Sequence, residues 1–196
     1  MKIKNIACMA ALLLASLSGA KAQTTLAAWT FDNLATGTNA SPQPSSGVGT
    51  AGYLGVITPD VTVLPGSSSG GSNSWHVGGW STNAAIGAQG VQFAATTVGY
   101  YQIQVSFDVY AATNAEASLQ VQYTTEGSIW HNANITSAGT SGVLATNTIT
   151  TNSLVVGSYI ILTNNGTGAW DNQVTVSLSG ISGVDNACLL YTSRCV

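Results

Sequence analysis

Alternation of apolar and polar residues is the feature that most limits what this chain can fold into. Along 102–109 every second residue is apolar, and Gln, Gln, Ser and Asp occupy the positions between them. The same period of two occurs in 118–123 and in 172–178. Successive side chains of a β-strand point to opposite faces, whereas apolar positions of a helix recur every three to four residues. These three segments therefore predict half-buried strands.

Three further segments, 26–31, 90–93 and 154–162, have strand-like composition, and the last is apolar enough to be buried on both faces. Clusters of Gly, Ser, Asn and Pro separate the segments, and no long stretch has helical spacing. Many short strands joined by turns predict an all-β fold, an antiparallel β-sandwich. The Gly/Ser run 66–72 is either an inter-domain linker or a surface loop. We favour the loop, because neither half has enough strands for its own core.

Residues 1–22 have the three parts of a secretory signal peptide. A start with two lysines precedes an apolar run at 6–17, and Ala20-Lys21-Ala22 puts small residues where signal peptidase reads them. The alternative is a transmembrane anchor, but the run is shorter than the roughly 20 residues that span a bilayer. We therefore expect cleavage before Gln23, a single domain over 23–187, and a secreted protein.

The last residues, 188–196, differ in composition from the rest of the chain. They resemble the translation of a transposase mosaic-end adapter used in sequencing libraries: TGT CTC TTA TAC ACA TCT reads Cys-Leu-Leu-Tyr-Thr-Ser, and AGA TGT GTA TAA reads Arg-Cys-Val and a stop. The alternative is a native hairpin closed by a Cys188–Cys195 disulfide, which would tie down nothing else. The resemblance predicts a non-native tail after Ala187, and a sandwich that lacks its last strand or strands.

The body of the chain carries no Lys or Arg. Between Gln23 and Ala187 there is no basic residue apart from histidine, whereas all 7 acidic residues of the protein fall within that span. A surface without cations does not neutralise phosphates, which argues against nucleic acid as a partner and against docking on anionic lipid. We also expect no membrane insertion of the mature protein.

Metal-binding candidates are few. The body has two histidines, His76 and His131, without His-x-x-x-His spacing and without a thiolate, so we expect no transition-metal site. Asp32 and Asn33 follow the first predicted strand, and oxygens of this kind suit calcium. The same two residue types are common where a chain simply turns. Calcium at Asp32 and Asn33 is the one cofactor that the sequence suggests.

Candidate catalytic groups are equally sparse. Asp108 and Glu116 flank one predicted hairpin, which would suit the paired carboxylates of a glycoside hydrolase. Asp108 also lies on the polar side of its strand, where an acid is an ordinary solvated residue. The one Gly-x-Ser-x-Gly pattern, 66–70, belongs to the Gly/Ser run and is not followed by a predicted helix, so we do not expect a nucleophile elbow there. The sequence contains no phosphate-binding Gly-x-x-x-x-Gly-Lys. We therefore expect no catalytic residues.

Tryptophans are the remaining signal. Trp75, Trp80 and Trp130 sit beside Gly, Ser, Asn or His in predicted loops, and His131 follows the last of them. Sugar rings stack on exposed indoles, and such a site needs no formal cation. The alternative is packing in or around the core, which the apolar surroundings of Trp29 favour for that residue. Trp75, Trp80, Trp130 and His131 are the candidate carbohydrate-binding residues.

The order of motifs along 26–186 resembles a group of bacterial secreted proteins that carry PEP-CTERM sorting signals. In one-letter code the matching segments are WTFDNL (29–34), GSSSGGSNSWHV (66–77), GWS (79–81), QGVQF (89–93), VGY (98–100), IQVSFD (103–108), LQVQYTTEG (119–127), GAW (168–170) and GVDN (183–186). The resemblance implies a jelly-roll-like sandwich at the cell surface or in the extracellular matrix, with no catalytic residue to carry over. Relatives tend to have Arg at the positions of His76 and Gly78, so no cationic role is carried over there.

Together these observations predict a secreted or cell-surface, non-catalytic β-sandwich module with a structural or matrix role. Its expected partners are the envelope or an extracellular polysaccharide. The alternative is a carbohydrate-binding module with a tryptophan surface, and a glycoside hydrolase is a remote alternative.

Overall fold

The computed structural model describes residues 23–195 apart from 56–57, 69, 82–87, 113–117, 146–148, 152–153, 157–158 and 163–167. The signal peptide predicted at 1–22 and the acid Glu116 lie outside the described residues. None of the described residues belongs to a helix that is long and apolar enough to cross a membrane.

The described part of the chain consists of short strands connected by turns and loops, and every strand pair is antiparallel. The all-β, antiparallel fold predicted from the alternation is therefore confirmed. The strands are β1 (Ala27–Ala28), β2 (Gly37–Thr38), β3 (Ser46–Gly47), β4 (Gly49–Leu54), β5 (Thr58–Val63), β6 (Asn73–Gly78), β7 (Gly90–Thr96), β8 (Gln104–Ala111), β9 (Ser118–Thr124), β10 (His131–Asn132), β11 (Asn134–Ala138), β12 (Val143–Ala145), β13 (Ile149–Thr151), β14 (Leu154–Val156), β15 (Tyr159–Ile161), β16 (Ala169–Ser177) and β17 (Cys188–Cys195).

A 7-stranded sheet, called the large sheet below, forms one layer. Its strands lie in the order β12-β15-β9-β17-β7-β4, and β10 pairs with one end of β9. Strand β17 lies between β7 and β9 and is antiparallel to both, with Tyr191 opposite Phe93 on one side and Tyr123 on the other. The segment that the sequence sets apart as a tail thus occupies a central position, and β7 and β9 are joined through it.

Residues 184–187 determine where β17 begins. The Thr97 N–H donates to the Ala187 carbonyl (2.6 Å), and the Thr97 hydroxyl oxygen accepts from the Ala187 N–H (2.9 Å). The same hydroxyl lies 2.6 Å from the Val184 carbonyl, to which it donates. Asn186 adds a side-chain contact, since its Oδ1 accepts the Gly99 N–H at 2.6 Å. These hydrogen bonds of Thr97 and Gly99 to residues 184–187, called the clamp below, fix the position from which the chain enters the large sheet between β7 and β9.

A 3-stranded sheet, β11-β16-β8, faces the large sheet and encloses the core. Apolar side chains from both layers meet there, and Ile160, Val174 and Val176 are fully buried. Each such side chain contributes about 1.5–3 kcal/mol by leaving water. The arrangement is a two-layer sandwich. Because the register of β16 on β8 shifts between Asp171 and Val174, a bulge interrupts this ladder.

A second 3-stranded sheet, β2-β5-β6, called the side sheet below, flanks the sandwich. It contacts the large sheet through aromatic rings, since the ring of Trp75 lies 5.9 Å from that of Phe93 and 6.4 Å from that of Phe31. Trp29 packs edge-on against the same Phe93 at 5.0 Å. These rings form a second apolar cluster at the side of the main core.

The predicted strands at 102–109, 118–123 and 172–178 all appear, as β8, β9 and β16. The prediction of one continuous strand over 154–162 is wrong. That segment is divided between β14, which pairs with β13, and β15, which pairs with β12 and β9. Ile160 of β15 is part of the core, and the apolar run takes part in two separate strand pairings.

Candidate functional site

Asp32 and Asn33, the calcium candidates, lie in an exposed turn after β1. The Asp32 Oδ1 accepts backbone N–H groups from Ser72 (2.8 Å) and Asn73 (2.9 Å). Gly71 packs directly against the same carboxylate, and any side chain there would collide with Asp32 Oδ2. Within the described ranges, no three His, Cys, Asp or Glu side chains converge on one point. Asp32 therefore holds the 71–73 loop at the start of β6.

Asp108, one half of the predicted acid pair, also binds a loop. Its carboxylate accepts the Ser68 N–H (2.7 Å), the Ser68 hydroxyl (2.8 Å) and the Gln173 N–H (2.8 Å). Asn172 strengthens the contact by donating its side-chain N–H to the Gly66 carbonyl at 3.2 Å. The Gly/Ser run around Ser68 is thereby fastened to the bulge of β16. Its other predicted partner, Glu116, lies outside the described residues.

Asp171 is the most enclosed acid in the described structure, with 3% of its surface exposed. Its Oδ1 accepts the Ser141 N–H at 2.9 Å, and its Oδ2 is buried without a hydrogen-bond partner. The loop at 139–142 wraps closely around it, because side chains at Gly139 or Gly142 would collide with the carboxylate. Reciprocal bonds between Thr140 and Asn172 (2.9 and 3.1 Å) close the loop over the acid.

Trp75 and Trp80, two of the predicted sugar-stacking residues, are tied to the backbone. The Trp75 indole N–H donates to the Asn39 carbonyl at 2.9 Å, and its ring packs on Phe93. The Trp80 N–H donates to the nearby Val77 carbonyl. Both indoles are half-buried. An indole held in this way stabilises the side sheet, which is the packing alternative that the sequence left open.

Trp130 and His131 lie elsewhere, at the β10 edge of the large sheet. The His131 ring is exposed and tilts against Tyr123 of β9, with 5.4 Å between ring centroids. The pKa of the neighbouring Glu126 lies below its ordinary value, mainly because the Thr125 hydroxyl donates to its carboxylate, with a smaller effect from His131. The four predicted residues therefore form two separate groups, one on the side sheet and one on the large sheet.

His76 makes the one ion pair seen among the described residues. Its Nδ1 lies 2.7 Å from Asp60 Oδ1, across the β5–β6 ladder. Both side chains are about half exposed, at 56% and 43%. A pair so open to solvent is worth at most about 1 kcal/mol. It links two strands of the side sheet.

The structure also brings together polar residues that the sequence analysis did not single out. Val121 of β9 is part of the core and Tyr123 packs against it, so Gln120 and Gln122 point away from the core, toward what we call the outer face of the large sheet. Gln92 of β7 shares that face, because the strand register connects it through Thr192 to Gln122. Its side chain lies over Gly52 of β4. The alternation marked these positions as polar, but their alignment depends on strand register.

Comparison with protein-family models, with curated proteins and with solved structures finds no match to this chain.

Proposed function

We propose that this chain is a secreted, non-catalytic β-sandwich module of the bacterial cell surface or extracellular matrix. The strongest support for a non-catalytic role is the way its carboxylates are bound. Asp32, Asp108 and Asp171 each accept backbone N–H groups from a loop that they hold in place. A general acid or base must instead reach a proton on the substrate. Carboxylates placed in this way serve the fold.

Export is tested by expressing the full chain in a bacterium and separating cytoplasm, envelope and medium. We expect the protein outside the cytoplasm, with an N-terminus at Gln23 by intact mass. A matched control, Leu13→Arg, places a charge in the apolar run of the signal and is expected to remain unprocessed. Unprocessed wild-type protein in the cytoplasm would contradict the proposed location.

The absence of catalysis is tested by incubating the exported protein with a panel of polysaccharides and measuring released reducing ends. We expect no release above that of a boiled sample. Asp108→Asn provides the critical comparison, because it removes the acid of the remote hydrolase alternative. Activity that disappears in this variant would establish a hydrolase and overturn the proposal.

We further infer membership in the PEP-CTERM-type secreted group, with a jelly-roll-like connection of the strands. The motif order along 26–186 supports this assignment. The test is the native genomic reading frame, in which we expect a sorting signal with an apolar span and a basic tail after the β-sandwich. A native gene that encodes the β-sandwich without such a signal would refute it.

A second candidate function is saccharide binding on the large sheet. The observation that favours it is the position of Trp130 and His131 at the β10 edge, next to the half-exposed Gln122 and away from the packed Trp75. An aromatic ring beside amide groups suits a sugar, whose C–H faces stack and whose hydroxyls hydrogen-bond. Retention of the exported protein on insoluble polysaccharide, compared with a beads-only column, tests this function.

A further inference from the structure

The strand register aligns polar residues in one row across the outer face of the large sheet. Asn132 pairs with Gln122, Gln122 with Thr192, Thr192 with Gln92, and Gln92 with Gly52. The row crosses β10, β9, β17, β7 and β4. Since neighbouring strands lie about 4.8 Å apart, it extends for roughly 19 Å.

Two amide groups in and beside this row have unused hydrogen-bonding capacity. The Oε1 of Gln122 is buried without a partner, while its Nε2 donates to Asn132 Oδ1 at 2.9 Å. Gln120, two residues earlier on the same face, is 4% exposed, and its Nε2 is buried without a partner. One is an acceptor and the other a donor. Gln122 as a whole is half-exposed and Asn132 beside it is exposed, so these two amides form the accessible part of the row. A sugar hydroxyl both donates and accepts hydrogen bonds, as amides do.

The part of the outer face formed by β4 and β7 carries mostly small side chains. Gly52 and Ala94 have small side chains or none. Gln92 is paired with Gly52, and its side chain lies over that glycine. A shallow depression of about 60 Å³ lies over this part of the sheet, lined by Thr50, Ala51, Gly52, Gln92, Phe93 and Ala94. An extended polysaccharide bound along the row would contact this depression at the β4 end.

An aromatic residue lies at the other end of the row. His131 is opposite Tyr123, whose side chain is directed to the core, so the preceding Trp130 falls on the same side as Asn132. At this position it is next to Thr124, which is fully buried. Trp130 is half-buried, so part of its indole is accessible to solvent.

The positions of the charged residues indicate what class of ligand suits this face. None of the acids that the structure describes lies in this row, because they occupy β5, β8, β16 and loops. The register places one charged residue, Arg194, opposite Gln120 at the margin. A body with 7 acids repels polyanions, whereas amides and an indole suit uncharged hydroxyl-rich chains.

We propose that the outer face of the large sheet binds a neutral, extended polysaccharide along the row from Trp130 and Asn132 through Gln122 to Gln92. Trp130 stacks on one sugar ring, and the amides of Gln122 and Gln92 bind hydroxyls of successive units. This deepens the saccharide-binding candidate above by naming the ligand class and its residues, and it replaces Trp75 and Trp80 as the binding tryptophans.

The test is affinity electrophoresis of the full exported chain in gels that contain hydroxyethyl cellulose, laminarin, starch or alginate. We expect retardation by at least one of the three neutral polymers and none by alginate. Trp130→Ala and Gln122→Ala should each weaken the affinity about tenfold, and Gln92→Ala several-fold. Gln43→Ala, an exposed amide off this face, is the matched control and should bind as wild type. Thermal melting of each variant separates lost binding from lost folding.

Three results would contradict the proposal, and each contradicts a different part of it. Binding that survives Trp130→Ala and Gln122→Ala, both folded, would overturn this site while leaving saccharide binding in place. Loss of binding in Trp75→Phe with none in Trp130→Ala would return the site to the side sheet. Preference for alginate, or no retardation by any neutral polymer, would overturn the ligand class and leave the non-catalytic module standing.

Discussion

Thr97→Val is the substitution that most directly probes how the large sheet is completed. Thr97 is 1% exposed, and its hydroxyl accepts from the Ala187 N–H and donates to the Val184 carbonyl. Valine has nearly the same shape but no hydroxyl. The substitution therefore leaves a buried donor and a buried acceptor without partners, while the Thr97 N–H keeps its bond to the Ala187 carbonyl.

The expected cost follows from these two contacts. Leaving one buried polar group unpaired costs about 1–3 kcal/mol, so the two groups together should lower the free energy of unfolding of Thr97→Val by about 2–6 kcal/mol. Thr97→Ser keeps the hydroxyl and removes one methyl group, which should cost about 1 kcal/mol. The difference between the two variants separates the contribution of the hydroxyl to the free energy of unfolding from that of the methyl group.

Urea denaturation followed by tryptophan fluorescence gives both free energies. Hydrogen exchange adds the location, because a weakened clamp should raise the exchange rates of β17 amides before those of β8 and β16. If Thr97→Val is no less stable than Thr97→Ser, the clamp at 184–187 does not position β17, and the reasoning is refuted.

Three further predictions test other parts of the structure. Ile160→Ala removes a fully buried side chain and should cost about 2–5 kcal/mol by urea denaturation, and a cost below 1 kcal/mol would place it outside the core. Asp108→Asn weakens the acceptor for three donors, so the Ser68 amide should exchange at least several-fold faster by NMR, with the core unchanged. Asp171→Ala removes the buried acceptor of the Ser141 N–H, so it should lower the melting temperature, and an unchanged melting temperature would contradict this.

The alternating segments were readable from sequence because their signal is local. In β8, β9 and β16 the polar and apolar positions alone reveal both the strand and its buried face. Strand β4, Gly-Thr-Ala-Gly-Tyr-Leu, carries no such signal, since two glycines and an alanine make both faces small. Strand β5 begins Thr-Pro-Asp, which is typical of a turn, although Pro59 and Val61 are buried. Their pairing partners stabilise these strands.

The site was harder to predict because it depends on distant residues. The alternation places Gln122 on a polar face, but only the register of β17 and β7 aligns it with Gln92. Likewise, the carbonyl that binds the Trp75 indole belongs to Asn39, 36 positions earlier in the chain. A pattern of neighbouring residues contains no information on either contact, and the prediction of an exposed Trp75 rests only on its neighbours Ser74 and His76.

The central claim is that 188–195 forms a strand inside the large sheet, between β7 and β9, and that this strand aligns the outer face. NMR of the labelled full chain tests it through contacts between backbone protons. We expect cross-strand contacts from Tyr191 to both Phe93 and Tyr123, together with amide protection in β17 equal to that in β9. Narrow resonances and unprotected amides for 188–195, with no contact to either neighbour, would contradict the account.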